Sequence, residues 1–297
     1  MHRAIILLPL LLGACASTLS DKLDSRYDSA PVVAETRLEW RVYLPPQYHA
    51  QPQREFPLLV YFHGGGGNHR TWGARGGLGE RLQPLMAAEE FGPFVVLSPS
   101  VGRFDPITGQ AEQLLFESVI PGVREKYRVS DTTIAFGHSM GGLSALMLAL
   151  RQPGCFDAVA AASPFAYDVS PFDERARIEA FEKEYGGSFF LGRWQTSVEK
   201  LFSDEREFER YSPFAQVRNW RGALPFRLYL TSGTEDYMGL FPQNLLLHEE
   251  LQRKGLDHEW VVQRGISHST LADRRIYTWL HQHSGFAATV SGSAGGN

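Results

Sequence analysis

Short apolar runs alternate with longer amphipathic stretches along most of this chain. Thr132-Thr133-Ile134-Ala135-Phe136 is short, apolar and β-branched, whereas Leu143-Ser144-Ala145-Leu146-Met147-Leu148-Ala149-Leu150 is built largely from strong helix formers. Pro57-Leu58-Leu59-Val60-Tyr61-Phe62 is a continuous apolar run of strand length, the pattern of a strand buried on both faces. Carried through the chain, the pattern predicts strands at 36–44, 56–62, 94–98, 132–136, 157–162, 225–231 and 258–263. It predicts helices at about 78–90, 112–127, 140–151, 242–254 and 270–283. That alternation implies an α/β domain with a mostly parallel sheet covered by helices. One stretch interrupts it. Residues 165–223 form an aromatic-rich insertion that includes Phe181, Phe190, Trp194, Phe202, Phe208 and Tyr211. It reads as a cap whose rings either line a pocket for an acyl group or sugar face or form the cap's own core.

Candidate chemistry sits at one strand–helix junction. Gly137-His138-Ser139-Met140-Gly141-Gly142 follows the strand ending at Phe136 and opens the next helix, the context in which G-x-S-x-G acts as a nucleophile elbow. A turn that lifts a serine Oγ clear of a sheet leaves no room for Cβ atoms two residues to either side. Ser139 is therefore the candidate nucleophile. A serine hydroxyl needs a base, and the base needs a carboxylate to orient it. The strand at 225–231 runs into Ser232-Gly233-Thr234-Glu235-Asp236, and the last strand is followed by Arg264-Gly265-Ile266-Ser267-His268. The order Ser139, Asp236, His268 is that of the α/β-hydrolases and not of chymotrypsin or subtilisin. Glu235 is the alternative acid. His258 is the rival base, although it begins a strand instead of following one.

The strand at 56–62 ends in His63-Gly64-Gly65-Gly66-Gly67, a loop whose backbone amides can approach a ligand closely. His63 and Gly64 in this loop, His138 in the elbow and Trp194 in the insertion are candidate substrate contacts; His69 flanks the same loop. Neither phosphate-binding glycine pattern is present. No Cys/His spacing fits a zinc site, His281 and His283 being close only on the last helix, so no metal and no cofactor is expected.

Taken together these segments resemble the esterase D branch of the α/β-hydrolases, which includes S-formylglutathione hydrolases, feruloyl and acetylxylan esterases, siderophore esterases and mycolyltransferases. The matching stretches are Val42-Tyr43-Leu44-Pro45-Pro46-Gln47-Tyr48, Tyr61-Phe62-His63-Gly64-Gly65, the elbow, Phe156-Asp157-Ala158-Val159-Ala160-Ala161-Ala162-Ser163-Pro164, Gly233-Thr234-Glu235-Asp236 and Gly265-Ile266-Ser267-His268. The resemblance implies an α/β-hydrolase fold with a helical cap insertion, and a serine esterase working through Ser139, His268 and Asp236. It also implies oxyanion donors at the amides of Met140 and Gly65. The family often carries a bulky residue where Gly65 stands, and Gly-Gly-His where this chain has Ile266-Ser267-His268. Acyl transfer to an alcohol on the same machinery, and a catalytically silent glycan- or envelope-binding role, are the alternative functions.

The chain has 297 residues and a formal net charge of −4, with no Lys/Arg-rich block, which removes the electrostatic case for nucleic acid. The apolar run from Ala4 to Leu12 is too short to span a bilayer and follows His2-Arg3, as in a secretory signal peptide. Leu12-Gly13-Ala14-Cys15 resembles a bacterial lipobox, implying cleavage at residue 14, lipid on Cys15 and a membrane as partner. Ala16 after the cysteine resembles outer-membrane lipoproteins of Gram-negative bacteria. Residues 15–35 then read as a lipidated tether, 36–286 as the enzyme domain and 287–297 as a disordered tail. The pattern does not fix the oligomeric state.

Overall fold

The computed structural model describes residues 27–29, 38–185, 192, 196 and 199–285. Eight strands form one sheet in the order β1-β2-β4-β3-β5-β6-β7-β8. They are β1 (Tyr27–Ser29), β2 (Glu39–Tyr43), β3 (Phe56–Phe62), β4 (Val95–Ser100), β5 (Val129–His138), β6 (Ala158–Ala162), β7 (Arg227–Gly233) and β8 (Glu259–Gln263). β1 and β2 run antiparallel at one side, and β4-β3-β5-β6-β7-β8 are parallel throughout.

Why β3 reads as an unbroken apolar run is visible in its neighbours. Phe56, Leu58, Val60 and Phe62 enter one core cluster, while Leu59 and Tyr61 enter a second on the opposite face. All seven residues of the strand are buried. Helices on both faces produce this, and a strand covered on both sides has no polar positions to alternate with.

The helices are α1 (Leu78–Ala87), α2 (Gly109–Leu114), α3 (Ile120–Lys126), α4 (Met140–Arg151), α5 (Arg175–Tyr185), α6 (Glu205–Glu209), α7 (Pro213–Asn219), α8 (Leu240–Arg253) and α9 (Arg275–Gln282). Elements agree with the sequence pattern apart from their ends. The helix expected to 90 stops at Ala87, with Glu89 in a left-handed conformation at φ 57°. The helix expected over 112–127 is α2 and α3 joined through a π-helical turn, Leu115–Val119. The last helix is preceded by a 3₁₀ turn, Thr270–Ala272. β1 lies inside the stretch read as a tether and pairs with β2 at Tyr27–Tyr43, so the sheet reaches further toward the N-terminus than the apolar pattern alone indicates. Three residues are too few to show a period.

The insertion supplies α5, α6 and α7, and α7 packs on α4 and α8. Of the rings named above, those described are core residues, and three of them also line a cavity. Phe181 is core, and Phe202, Phe208 and Tyr211 belong to the core cluster while also facing a cavity. Trp194, Phe189 and Phe190 lie outside the described residues, as do Cys15 and the leader-like segment. Among the described residues no helix is long and apolar enough to cross a membrane.

Candidate active site

The loops at the carboxyl ends of β3, β4, β5 and β7, together with the loop after β8, converge on one cavity of about 410 Å³. At its base stands Ser139, with φ 58° and ψ −122°. A left-handed conformation at a non-glycine residue costs on the order of 1–3 kcal/mol, so the surroundings must hold it. They do so with three backbone hydrogen bonds. Ser139 N–H donates to Ala162 O at 2.9 Å, and Ser139 O accepts from Leu143 N at 2.9 Å and Phe165 N at 3.1 Å.

The glycines of the elbow are required by contact. A Cβ on Gly141 would lie 2.8 Å from His63 O and closer still to the Phe62 carbonyl. A Cβ on Gly137 would run into the Gly141 carbonyl, and one on Gly142 would lie 2.9 Å from Ala162 O. α4 can therefore start directly beneath β3 and β6 only with this sequence.

Asp236 and His268 meet through a second glycine. A Cβ on Gly233 would collide with the carbonyl oxygens of Ile266 and Ser267, so its absence lets the loop after β8 lie on the loop after β7. Backbone bonds then tie the two loops, from Thr234 N to Gln263 O at 3.1 Å and from Glu235 N to Ile266 O at 3.0 Å. His268 Nδ1–H donates to Asp236 Oδ2 at 2.7 Å, and Asp236 Oδ1 accepts from Met238 N at 2.9 Å. The Asp236 carboxylate is fully buried. With Nδ1 engaged, the basic nitrogen left to His268 is Nε2, and both His268 and Ser139 line the cavity. Glu235 makes no bond to His268.

His138 lies behind this pair. Its ring is 4.5 Å from that of His268, and its Nε2–H donates to the His268 carbonyl at 2.6 Å. Burial first, and then the neighbouring His268, push its pKa down to about 4, so the ring is neutral at physiological pH. Its side chain braces the His268 loop instead of facing the cavity.

Gly65 and Met140 also line the cavity, and neither backbone amide donates to another group among the described residues. Met140 opens α4, where the first amides have no intrahelical acceptor. The Gly65 loop is set by Gly66 N–H donating to Arg103 O at 2.6 Å and by Gly66 itself at φ 86°.

His63 and Gly64 do not reach the cavity wall. His63 is 3% exposed, with Nε2 at 2.9 Å from Ser100 Oγ and Nδ1 at 2.9 Å from Gly64 O, so it fixes the base of the glycine loop. His258 is also remote, since its Nδ1 bonds Leu256 O and its Nε2 bonds His248 Nδ1 at 2.7 Å. His69 pairs with Glu39 at 3.3 Å, while His281 and His283 bond backbone carbonyls. Among the described residues no three His, Cys, Asp or Glu side chains are gathered as a metal site would need.

Several wall residues escaped the sequence reading. Phe104 and Tyr237, 55% and 66% exposed, stand at the mouth. Tyr237 meets the His268 ring edge-on at 5.9 Å. Leu143 and Met147 form one wall, and the stripe Met140, Leu143, Met147 at helical spacing was a legible signal for it. Among the described residues, His268 is the only Asp, Glu, His, Lys or Arg side chain that lines the cavity.

The strand order and the elbow at Ser139 place the chain among the α/β-hydrolases, as an ester hydrolase. It belongs to the family described as "Putative esterase", whose profile matches residues 32–270. In sequence it is 28% identical over 131 residues to an endo-1,4-beta-xylanase/feruloyl esterase of Xylanibacter ruminicola, a match spanning 39% of this chain and only 18% of that longer protein. In structure it resembles a ferulic acid esterase, with TM-score 0.60 and 19% identity over 87% of this chain and 96% of the other. It also resembles an S-formylglutathione hydrolase from Agrobacterium tumefaciens, with TM-score 0.58 and 18% identity over 89% and 94% of the two chains. At such identities the structural likeness speaks for the fold.

Proposed function

We propose that this chain is a serine esterase in which Ser139, His268 and Asp236 act as a catalytic triad. Ser139 Oγ attacks the ester carbonyl carbon while His268 Nε2 takes its proton, and Asp236 holds the imidazole and the positive charge it gains. The N–H groups of Met140 and Gly65 receive the oxyanion. Collapse of the tetrahedral intermediate expels the alcohol, protonated by His268, and leaves an acyl-serine. Water, deprotonated by His268, releases the acid by the same steps in reverse.

The observation that carries this reading is the 2.7 Å bond from His268 to buried Asp236 at the cavity where Ser139 occupies its left-handed elbow. Ser139→Ala and His268→Ala should each lower kcat on p-nitrophenyl acetate by about 10³-fold or more, because nucleophile and base act as a unit. A fluorophosphonate probe should label the native protein and spare Ser139→Ala. Near-normal turnover or undiminished labelling in that variant would remove the assignment.

We further propose that residues 1–14 direct export, that Cys15 carries the lipid, and that residues 36–286 form the tethered enzyme domain, with Trp194 and its neighbours in the cap close to substrate. The apolar run Ala4–Leu12 and the Leu12-Gly13-Ala14-Cys15 motif support this. The native product should partition into detergent, and Cys15→Ala should not. A product that is wholly soluble would oppose it. Similar proteins are named ferulic acid esterase and feruloyl esterase, which supports a small neutral ester as the substrate class.

A further inference from the structure

The shape of the cavity bears on the acyl group, and the inference rests on the esterase reading above. One face of α4 runs along its wall. Met140, Leu143 and Met147 line it in succession, and Arg151, the next residue on that stripe, ends the helix. From Met140 to Met147 the wall extends about 10 Å at the α-helical rise. Tyr211 also lines the cavity, and its contact with Arg151 puts it at the C-terminal end of that stripe.

Tyr211 is held from every side. The Arg151 guanidinium lies 3.9 Å over its ring, and Phe202 stacks with it at 5.0 Å and 29°. Its hydroxyl accepts from Gly109 N–H at 2.9 Å, and the Glu112 carboxylate takes Arg151 Nε at 3.0 Å. The guanidinium charge is thus spent on Glu112 and screened from the cavity by the ring.

Polar partners for a buried acyl tail are accordingly few. The Tyr211 hydroxyl is engaged as described, Tyr167 donates to Met238 O at 3.3 Å, and Ser212 Oγ caps α7 by accepting from Ala215 N. A phenol driven to the end of this cavity would surrender its water for hydroxyls that each already hold a partner, which is costly. A carboxylate or ammonium there would meet no counter-charge among the described lining residues. An alkyl chain gives up nothing, and three methionines, Met140, Met147 and Met238, give it adaptable thioether walls.

We propose that this cavity is an acyl-chain pocket for esters of uncharged, unbranched aliphatic acids. Its length of about 10 Å corresponds to roughly eight carbons, since an extended alkyl chain with ~1.5 Å bonds at ~111° advances about 1.3 Å per carbon. Tyr211, fixed by Arg151 and Phe202, sets that length.

The test is kcat/KM across p-nitrophenyl esters from acetate to palmitate, with methyl ferulate beside them. The optimum should fall between hexanoate and decanoate, at least tenfold above acetate and above methyl ferulate. An optimum at acetate, at palmitate or at ferulate would overturn the proposal. Met147→Phe, which narrows the wall midway, should lower the decanoate-to-butyrate ratio at least fivefold; an unchanged ratio in the folded variant counts against it. Calorimetric titration of Ser139→Ala with octanoate and with ferulate gives a readout that needs neither turnover nor the Met147 variant. Octanoate should bind at least tenfold tighter, and equal or reversed affinities would overturn the pocket. If no ester is turned over and no fluorophosphonate label enters, the esterase reading fails, and the titration still decides the pocket.

Discussion

His138 donates from Nε2 to the main-chain oxygen of His268, 130 residues further along the chain, at 2.6 Å. The residue next to the candidate nucleophile thus braces the residue proposed as its base. That bond anchors the His268 main chain, while the bond to Asp236 orients its imidazole. A neutral His138 also spares the His268 imidazolium a like charge at a ring distance of 4.5 Å.

His138→Ala should therefore lower kcat by about 10²-fold with KM nearly unchanged, because a displaced base harms the transition state more than ground-state binding. His138→Gln, which retains an N–H donor, should recover part of the loss. The pH profile of stability gives a second check. The folded-state pKa of about 4 lies below the ordinary value of 6.5, since burial disfavours the charged ring. The unfolded chain therefore binds the proton first. Stability from this group is complete above pH 6.5, declines as pH falls, and levels off below pH 4, a loss of up to roughly 3 kcal/mol. Thermal melts of the native protein and of His138→Gln over this range should diverge, the native protein losing more. Parallel curves would show that His138 does not titrate this way.

Between the two adjacent carboxylates the geometry favours Asp236 as the orienting acid. Its Oδ2 takes the His268 Nδ1–H and its Oδ1 the Met238 amide, whereas the Glu235 backbone is tied to Ile266 O. Asp236→Asn should cut kcat about 10³-fold or more by favouring the wrong imidazole tautomer. Glu235→Gln should stay within about twofold, since exposed side chains away from such networks contribute little. Steady-state kinetics on p-nitrophenyl butyrate separate the two, and the reverse pattern would transfer the role to Glu235.

How far the sequence carries this picture depends on the kind of signal. The elbow was legible because its glycines answer a backbone contact: Gly137 and Gly141 stand where any Cβ would strike the chain. The parallel strands were legible because burial on both faces leaves an unbroken apolar run, as in β3. Side-chain direction was not. His63 and His138 adjoin the glycine loop and the elbow, yet Ser100 Oγ claims one and the His268 carbonyl the other. Phe104 and Tyr237 at the cavity mouth come from separate loops with no shared period, and only tertiary packing brings them together. The mixed use of Phe202 and Tyr211, core on one face and cavity on the other, likewise has no sequence signature.

Glycines that look alike in sequence should differ sharply on substitution. Gly141→Ala places a methyl against the Phe62 and His63 carbonyls, so α4 must move away from β3. We expect a loss of at least about 3 kcal/mol, or failure to fold, as for other overpacked core sites. At Gly65 the corresponding methyl would meet only the Phe104 ring at 3.6 Å, an ordinary contact. Gly65→Ala should stay within about 1 kcal/mol of native stability in urea unfolding. A comparable loss at both sites would contradict the described loop.

Glu112 is a buried charge behind Tyr211, 3% exposed. It takes Arg151 Nε through both carboxylate oxygens at 3.0 Å and Gln152 Nε2 at 2.9 Å, linking α2 to the end of α4. Burying a charge is tolerable only when its partners are complete, and deleting one member leaves the other unpaired. Glu112→Ala should therefore cost about 3–5 kcal/mol. Glu112→Gln, which keeps the size and some of the bonds but removes the charge, should cost less. Replacing both charges together, as Glu112→Leu with Arg151→Met, should be milder than Glu112→Ala alone, because no orphaned guanidinium then remains under Tyr211. Urea denaturation of the three variants measures this, and a double variant less stable than Glu112→Ala would mean that the ion pair itself, and not the avoidance of an unpaired charge, holds α2 against α4.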